Sequence, residues 1–204
     1  MKKILFAVAM LAAFTVQSFA GPNFGINLSY QSEAMVGDNA DRFADNQVSS
    51  AEAIGLGVLI PFNPMLSLHT GLDFQINIYT YTYGEDSYYS SDDVDAMNLF
   101  LNFQVPVLAR INFTPGFFAE AGLDLQLNLL AQNFNDASDE WNDIEDWSAF
   151  EVSPAVGLGY TLWFGLEFSA RYSYGLIAAY DEYDNNWHPM RFQFDITYWF
   201  GYRR

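Results

Sequence analysis

The chain has 204 residues, sets eight basic against 25 acidic side chains for a net charge of −17, and contains no cysteine. A surface this acidic repels nucleic acid, and without cysteine the chain is not a disulfide-stapled secreted module. Aromatic residues make up 18% of it, mostly Tyr and Phe, which suits a protein of the membrane interface.

Lys2 and Lys3 precede an apolar run over residues 4–16, and Ser18 and Ala20 place small residues where a signal peptidase reads. This is the pattern of a secretory signal peptide over residues 1–20, cut before Gly21. Residues 21–204 then form a single exported domain in which six arginines face the 25 acids. No later stretch reaches the roughly eighteen consecutive apolar residues of a spanning helix. Two classes remain: a soluble periplasmic or secreted domain, or an outer-membrane barrel.

From there apolar and polar residues alternate through eight segments, and period-two alternation marks a strand with two unlike faces. The first sets Phe24, Ile26, Leu28 and Tyr30 against Gly25, Asn27, Ser29 and Gln31. The second sets Ile54, Leu56, Val58 and Ile60 against Gly55, Gly57 and Leu59. The third, residues 66–82, sets Leu66, Leu68, Leu72, Phe74, Ile76 and Ile78 against Ser67, His69, Asp73, Gln75 and Asn77. Its length is several times the usual strand of about five or six residues. The fourth, residues 97–113, opposes its apolar face with Asn98, Asn102, Gln104, Arg110 and Asn112. The fifth, residues 117–129, does so with Glu120, Gly122, Asp124, Gln126 and Asn128. The sixth pairs Val152, Val156, Leu158, Tyr160 and Leu162 with Ser153, Gly157, Gly159 and Thr161. In the seventh, Leu166, Phe168, Ala170, Tyr172 and Tyr174 oppose Glu167, Ser169, Arg171 and Ser173. The last places Phe192, Phe194, Ile196, Tyr198, Phe200 and Tyr202 against Arg191, Gln193, Asp195 and Thr197.

The connections alternate as well. Residues 61–64, 114–116 and 163–165 are tight and rich in Pro and Gly, which supply turn dihedrals, whereas 32–50, 84–95, 131–149 and 178–189 are long and polar. Short and long links in strict alternation predict an eight-stranded antiparallel up-and-down transmembrane β-barrel with short periplasmic turns, long outer loops and both chain ends on the periplasmic side. Most of the acids fall in the predicted outer loops, Glu33 among them, and no charge is expected on lipid-facing positions, where a midplane Arg or Lys costs roughly 2–4 kcal/mol. Aromatics gather at both strand ends, as two girdles require: Phe24, Phe113, Phe117 and Trp163 near the short turns, Tyr30, Phe134, Phe150 and Phe192 near the long loops.

Eight strands enclose a space just wide enough for side chains to fill. The inward residues Asp73, Glu120, Asp124, Glu167 and Asp195, against Arg110, Arg171 and Arg191, predict an internal ion-pair network, since buried charges persist only when paired and hydrogen-bonded. A proton or ion path is the competing reading. Pro106, inward and mid-strand, removes a ladder donor and predicts a bulge or irregular pairing. His69 lies near Asp73 on the third strand and His188 near Asp184 in the last loop. A hydrolase would need a nucleophile beside the base. Ser67 is the nearest to His69 but lies toward the periplasmic turn. For His188 the second and third long loops could supply acids, so that reading stays open but distant. Asp136, Asp139, Glu140, Asp143, Glu145 and Asp146 offer carboxylates to Ca²⁺ or Mg²⁺, without the glycine and closing glutamate of an EF-hand. No other cofactor is expected.

Residues 65–72, 104–109, 118–122 and 171–176 (MLSLHTGL, QVPVLA, FAEAG and RYSYGL) resemble the outer-membrane β-barrel domain family, including PorT-like and small OmpA-OmpX-type barrels of Bacteroidetes-type bacteria. The resemblance implies an integral outer-membrane barrel and brings no catalytic residues with it. The last strand is similar to the aromatic signal read by the barrel-assembly machinery, with Tyr198, Phe200 and Tyr202 on one face, although Arg203 and Arg204 follow. The expected partners are outer-membrane lipid, that machinery and an extracellular ligand. The expected function is structural or interactive: a filled barrel whose acidic, aromatic loops bind a cation, a glycan or a protein. A small channel or a transport or secretion accessory is the alternative, and a barrel hydrolase of lipid or peptide a more distant one.

Overall fold

In the computed structural model, the structure describes residues 21–37, 49–83, 94–135, 140–143, 148–178, 180–182 and 185–202. The proposed signal segment lies outside them. Ten strands follow in order: β1 (Asn23–Gly37), β2 (Ser49–Pro61), β3 (Leu66–Tyr83), β4 (Val94–Asn112), β5 (Phe117–Asn135), β6 (Glu140–Asp143), β7 (Phe150–Thr161), β8 (Leu166–Tyr174), β9 (Tyr180–Glu182) and β10 (Asn185–Trp199). Eight of them form the wall in the order β1-β2-β3-β4-β5-β7-β8-β10, and β10 pairs back on β1 to close it. Every pairing is antiparallel, and successive wall strands pair in chain order until the closing seam from Gly25↔Trp199 to Gly37↔Trp187. Closure removes sheet edges, so the ladder satisfies the backbone where no water is available.

The wall is inverted relative to a soluble protein. Outward residues such as Leu56, Val156, Leu158 and Phe194 are each more than half exposed. The inward series, Asn27, Ser29, Gln31 and Glu33 on β1 or Gln75 and Asn77 on β3, is buried. An apolar outer surface around a polar interior is stable only with lipid outside. Aromatics stand at both rims, Phe113, Phe117 and Trp163 beside the short turns and Tyr30, Phe150 and Phe192 toward the long loops, all exposed. The short turns are closed locally. Asn63 Oδ1 accepts from the Met65 and Leu66 amides, both at 2.8 Å, while Gly116 and Gly165 take φ of 99° and 93°, a region that L side chains avoid.

The structure corrects several expectations. The strands outrun the predicted boundaries: β1 reaches Gly37, β5 reaches Asn135, and the short β6 and β9 pair onto β5 and β10 inside what had read as loops. A spanning strand needs only about 9–11 residues, so the 18 or 19 of β3, β4 and β5 carry the sheet beyond the bilayer. Glu33 therefore lies in the barrel and not in a loop, 1% exposed. Glu52 is a charge on the outer face, opposite Tyr30 and one outward position above Ile54, at the upper edge of the apolar band. The last strand stops at Trp199. A turn at Phe200 and Gly201, with φ of 66° at the glycine, takes Tyr202 off the face it was expected to share. At Pro106 the register with β3 is unchanged, but the pairs Gly71–Pro106 and Leu72–Val105 drop out of the ladder, while Pro106↔Asp124 on the β5 side remains. The missing N–H faces β3. The bulge is elsewhere: the β4–β5 register slips between Leu101 and Asn102, which adds a residue at Leu129 and turns Asn133 inward to donate to Asn98 Oδ1 at 2.6 Å.

Candidate functional site: the barrel lumen

Three arginines stand at successive heights in the lumen, each held between carboxylates from other strands. Nearest the short turns, Arg110 on β4 donates from Nε to Glu120 Oε1 at 2.6 Å and from Nη1 and Nη2 to the two oxygens of Glu167, both at 2.7 Å. The second contact is the bidentate fork that guanidinium geometry favours. Glu167 Oε2 also accepts from Thr161 at 2.7 Å and from the Trp199 indole at 2.9 Å. Phe118 lies 3.7 Å under the guanidinium, a cation–π contact. His69 donates from Nδ1 to Glu120 at 2.9 Å and meets Trp199 edge-on.

At the middle height, Arg171 on β8 donates to Asp124 Oδ1 at 2.9 Å and to Asp195 Oδ2 at 3.2 Å. Asp195 Oδ1 also accepts from Ser29 and Gln193, each at 2.6 Å. Toward the outer loops, Arg191 on β10 donates from Nε to Glu33 at 2.7 Å, from Nη2 to Glu151 and from Nη1 to Ser153 at 3.3 Å. Each cluster crosses the lumen between strands that are not neighbours: β4 with β8, β8 with β5, β10 with β7.

The predicted residues are thus mostly brought together. Arg110 joins Glu120 and Glu167, and Arg171 joins Asp124 and Asp195. Arg191 does not pair with a predicted acid; it takes Glu33, read as a loop residue, and Glu151, not singled out in the sequence. Both sit on the inward parity of their strands, two residues beyond Gln31 and two before Ser153, and this parity was the available signal. Trp199 was missed in the same way, two residues beyond Thr197. Asp73 points inward and is 2% exposed, yet it joins no ion pair among the described residues. His69 turns to Glu120, not to Asp73, and His188 lies in β10, where its Nδ1 donates to the Gly175 carbonyl at 2.9 Å and its ring stacks on Tyr174. Of the candidate cation loop, Asp136, Asp139, Glu145 and Asp146 lie outside the described residues, and Glu140 and Asp143 are placed only as ends of β6. Among the described residues no group of three or more His, Asp or Glu is arranged to hold a metal ion. At the short-turn end an opening of about 560 Å³ is bordered by Pro61, Pro64, Ser67, Asn112, Pro115 and Tyr202.

A closed antiparallel barrel with an apolar exterior and an ion-paired polar lumen is a membrane-spanning barrel of the bacterial outer membrane. The chain belongs to the outer membrane protein beta-barrel domain family, whose model matches residues 15–181. Among solved structures it is similar to Neisserial surface protein A (NspA), with a TM-score of 0.53 and 14% identity over 88% of this chain and 99% of that one. It is also similar to Ail, the attachment invasion locus protein of Yersinia pestis, with a TM-score of 0.45 and 11% identity over 87% of this chain and 98% of Ail. No curated protein sequence matches. At such identities the likeness to NspA is one of fold.

Proposed function

We propose that this protein is a non-catalytic scaffold of the outer membrane that works through its outer loops, which bind a cation, a glycan or a protein partner. The filled lumen carries this reading. Three Arg-centred clusters cross the interior at three heights, and each arginine is at most 4% exposed. A solute would have to break buried pairs, each costing several kcal/mol, to pass. The remaining chemistry is in the segments that the sequence reads as outer loops, which carry most of the acids together with Tyr88, Tyr89, Trp141, Trp147 and Trp187. Carboxylates there suit hard cations, and aromatic rings suit sugar or protein contacts. The aromatic last strand is the segment offered to the barrel-assembly machinery.

The test has two arms. Purified barrel in planar bilayers is expected to show no steady conductance, and discrete openings would move the assignment to the small-channel class. In calorimetry with Ca²⁺, the wild type is expected to give saturable heat that falls when Asp136, Asp139, Asp143 and Asp146 are changed to Asn. No difference between the two proteins would remove the cation arm and leave glycan and protein partners for the loops.

A further inference from the structure

The lumen is electrically lopsided. Glu33, Asp73, Glu120, Asp124, Glu151, Glu167 and Asp195 are all buried, against Arg110, Arg171 and Arg191, and each arginine is already held by two carboxylates. Asp73 stands outside those pairs on the wall built by β1 to β5: Asn27 hydrogen-bonds it, and the positive charge acting on it is that of Arg171, already shared by Asp124 and Asp195. The same wall has a second deficit. Asn27 Oδ1, Gln75 Oε1, Asn77 Oδ1, Asn102 Oδ1 and Gln126 Oε1 are buried and receive no hydrogen bond. The unpartnered atoms on this wall are all oxygens.

The register sets these groups on successive strands from β1 to β5. Asn27 stands opposite Gly55, Gly55 opposite Asp73, Asp73 opposite Gln104, and Gln104 opposite Gln126. Gln75 stands opposite Asn102. Gly55 makes the arrangement possible. A Cβ there would stand 2.6 Å from Asn27 Oδ1 and collide with Asp73 Oδ1, so the missing side chain leaves space in which those two oxygens face each other.

We propose that this wall binds a monovalent metal cation, held by the Asp73 carboxylate together with amide oxygens of Asn27, Gln75 and their neighbours Asn102 and Gln126. Oxygen-only ligands select a hard cation and disfavour transition metals. A single carboxylate outside the ion pairs, set among neutral amides, balances one positive charge, whereas protein Ca²⁺ sites usually gather several carboxylates. Carbonyl-type dipoles are the ligands that replace water around alkali ions. Water supplies donors to the orphaned oxygens but no charge, and Arg171 is already divided between Asp124 and Asp195. A cation supplies what both deficits need.

The experiment is urea unfolding of the whole barrel in lipid vesicles, followed by heat-modifiable gel mobility. NaCl, KCl and N-methyl-D-glucamine chloride are compared at equal ionic strength, so that screening at the acidic loops is the same in all three. A ligand that binds only the folded state stabilises it in proportion to the logarithm of its concentration. The expected result is a higher midpoint in at least one alkali salt than in the glucamine salt, a difference abolished by Asp73→Asn and reduced by Gln75→Leu. Equal midpoints in all three salts, or an undiminished salt difference in Asp73→Asn, overturns the proposal. Should Asp73→Asn fail to fold, thallium(I) soaked into wild-type crystals decides: anomalous density beside Asp73 supports the site, and its absence overturns it.

Discussion

Arg110 shows what one side chain does in a barrel that lacks an apolar core. Its guanidinium has two carboxylates, a histidine and an aromatic face around it, all in a space with almost no access to water. Removing it leaves Glu167 buried without its guanidinium and Glu120 with only His69 beside it, the arrangement that costs about 3–5 kcal/mol when one partner of a buried pair is deleted. Arg110→Met is therefore expected to lower the unfolding free energy by about that amount, read as a lower urea midpoint in vesicles. The triple replacement of Arg110, Glu120 and Glu167 by apolar residues of similar size is expected to recover most of the loss, because the unpaired charges go with it. At this scale the sequence was legible to the extent that parity along a strand is legible. The inward positions of Arg110, Glu120, Asp124 and Arg171 follow from alternation alone. Which acid meets which arginine does not, because Glu167 reaches Arg110 across the lumen from a strand that is not its neighbour.

The elements were legible in number and direction, and less so in extent. Alternation fades toward the outer loops, where both faces of a strand become polar, so Glu33 and the β6 and β9 segments read as loop although the hydrogen-bonded ladder continues through them. The β5 bulge was hidden for a related reason: Leu129 and Leu130 are both apolar, and an extra leucine leaves no mark on a hydropathy pattern. Pro106 was visible, but its effect depends on which neighbour its missing N–H faces. Because β5 remains paired and β3 does not, Pro106→Ala is expected to restore one ladder bond to β3. The gain is about 1 kcal/mol, the net worth of an ordinary hydrogen bond. Amide exchange is the check: the new amide at position 106 should be protected, and rapid exchange there would mean the gap has another cause.

On the scale of the whole molecule, the three clusters act as crossbars. The wall alone is a sheet rolled on itself, and a rolled sheet in lipid gains little from hydrophobic contact between its strands. Arginine–carboxylate pairs that span the lumen fix its cross-section at three heights, and the same pairs block solute passage. A structure held in this way is expected to resist detergent and to change gel mobility only on boiling, as closed barrels with saturated backbone ladders do.

The Glu33–Arg191 pair has a bearing on how the barrel comes to exist at all. The two residues face each other across the seam where the first wall strand meets the last, and Ser29 and Asp195 face each other on the same seam. Until those strands meet, Arg191 and its acids remain in water, so desolvating the charges and joining the chain's two ends occur in one event. That makes the seam a timed latch. Glu33→Gln is expected to slow the final refolding phase from urea into vesicles, by roughly fivefold for each ~1 kcal/mol withheld from that step. Glu120→Gln also deprives one arginine of one carboxylate, but on the β4–β5 hairpin, away from the seam. It should leave that phase unchanged and speed unfolding instead. A sheet that is unlatched still has open edges, and only the closed form has none to offer a neighbouring chain.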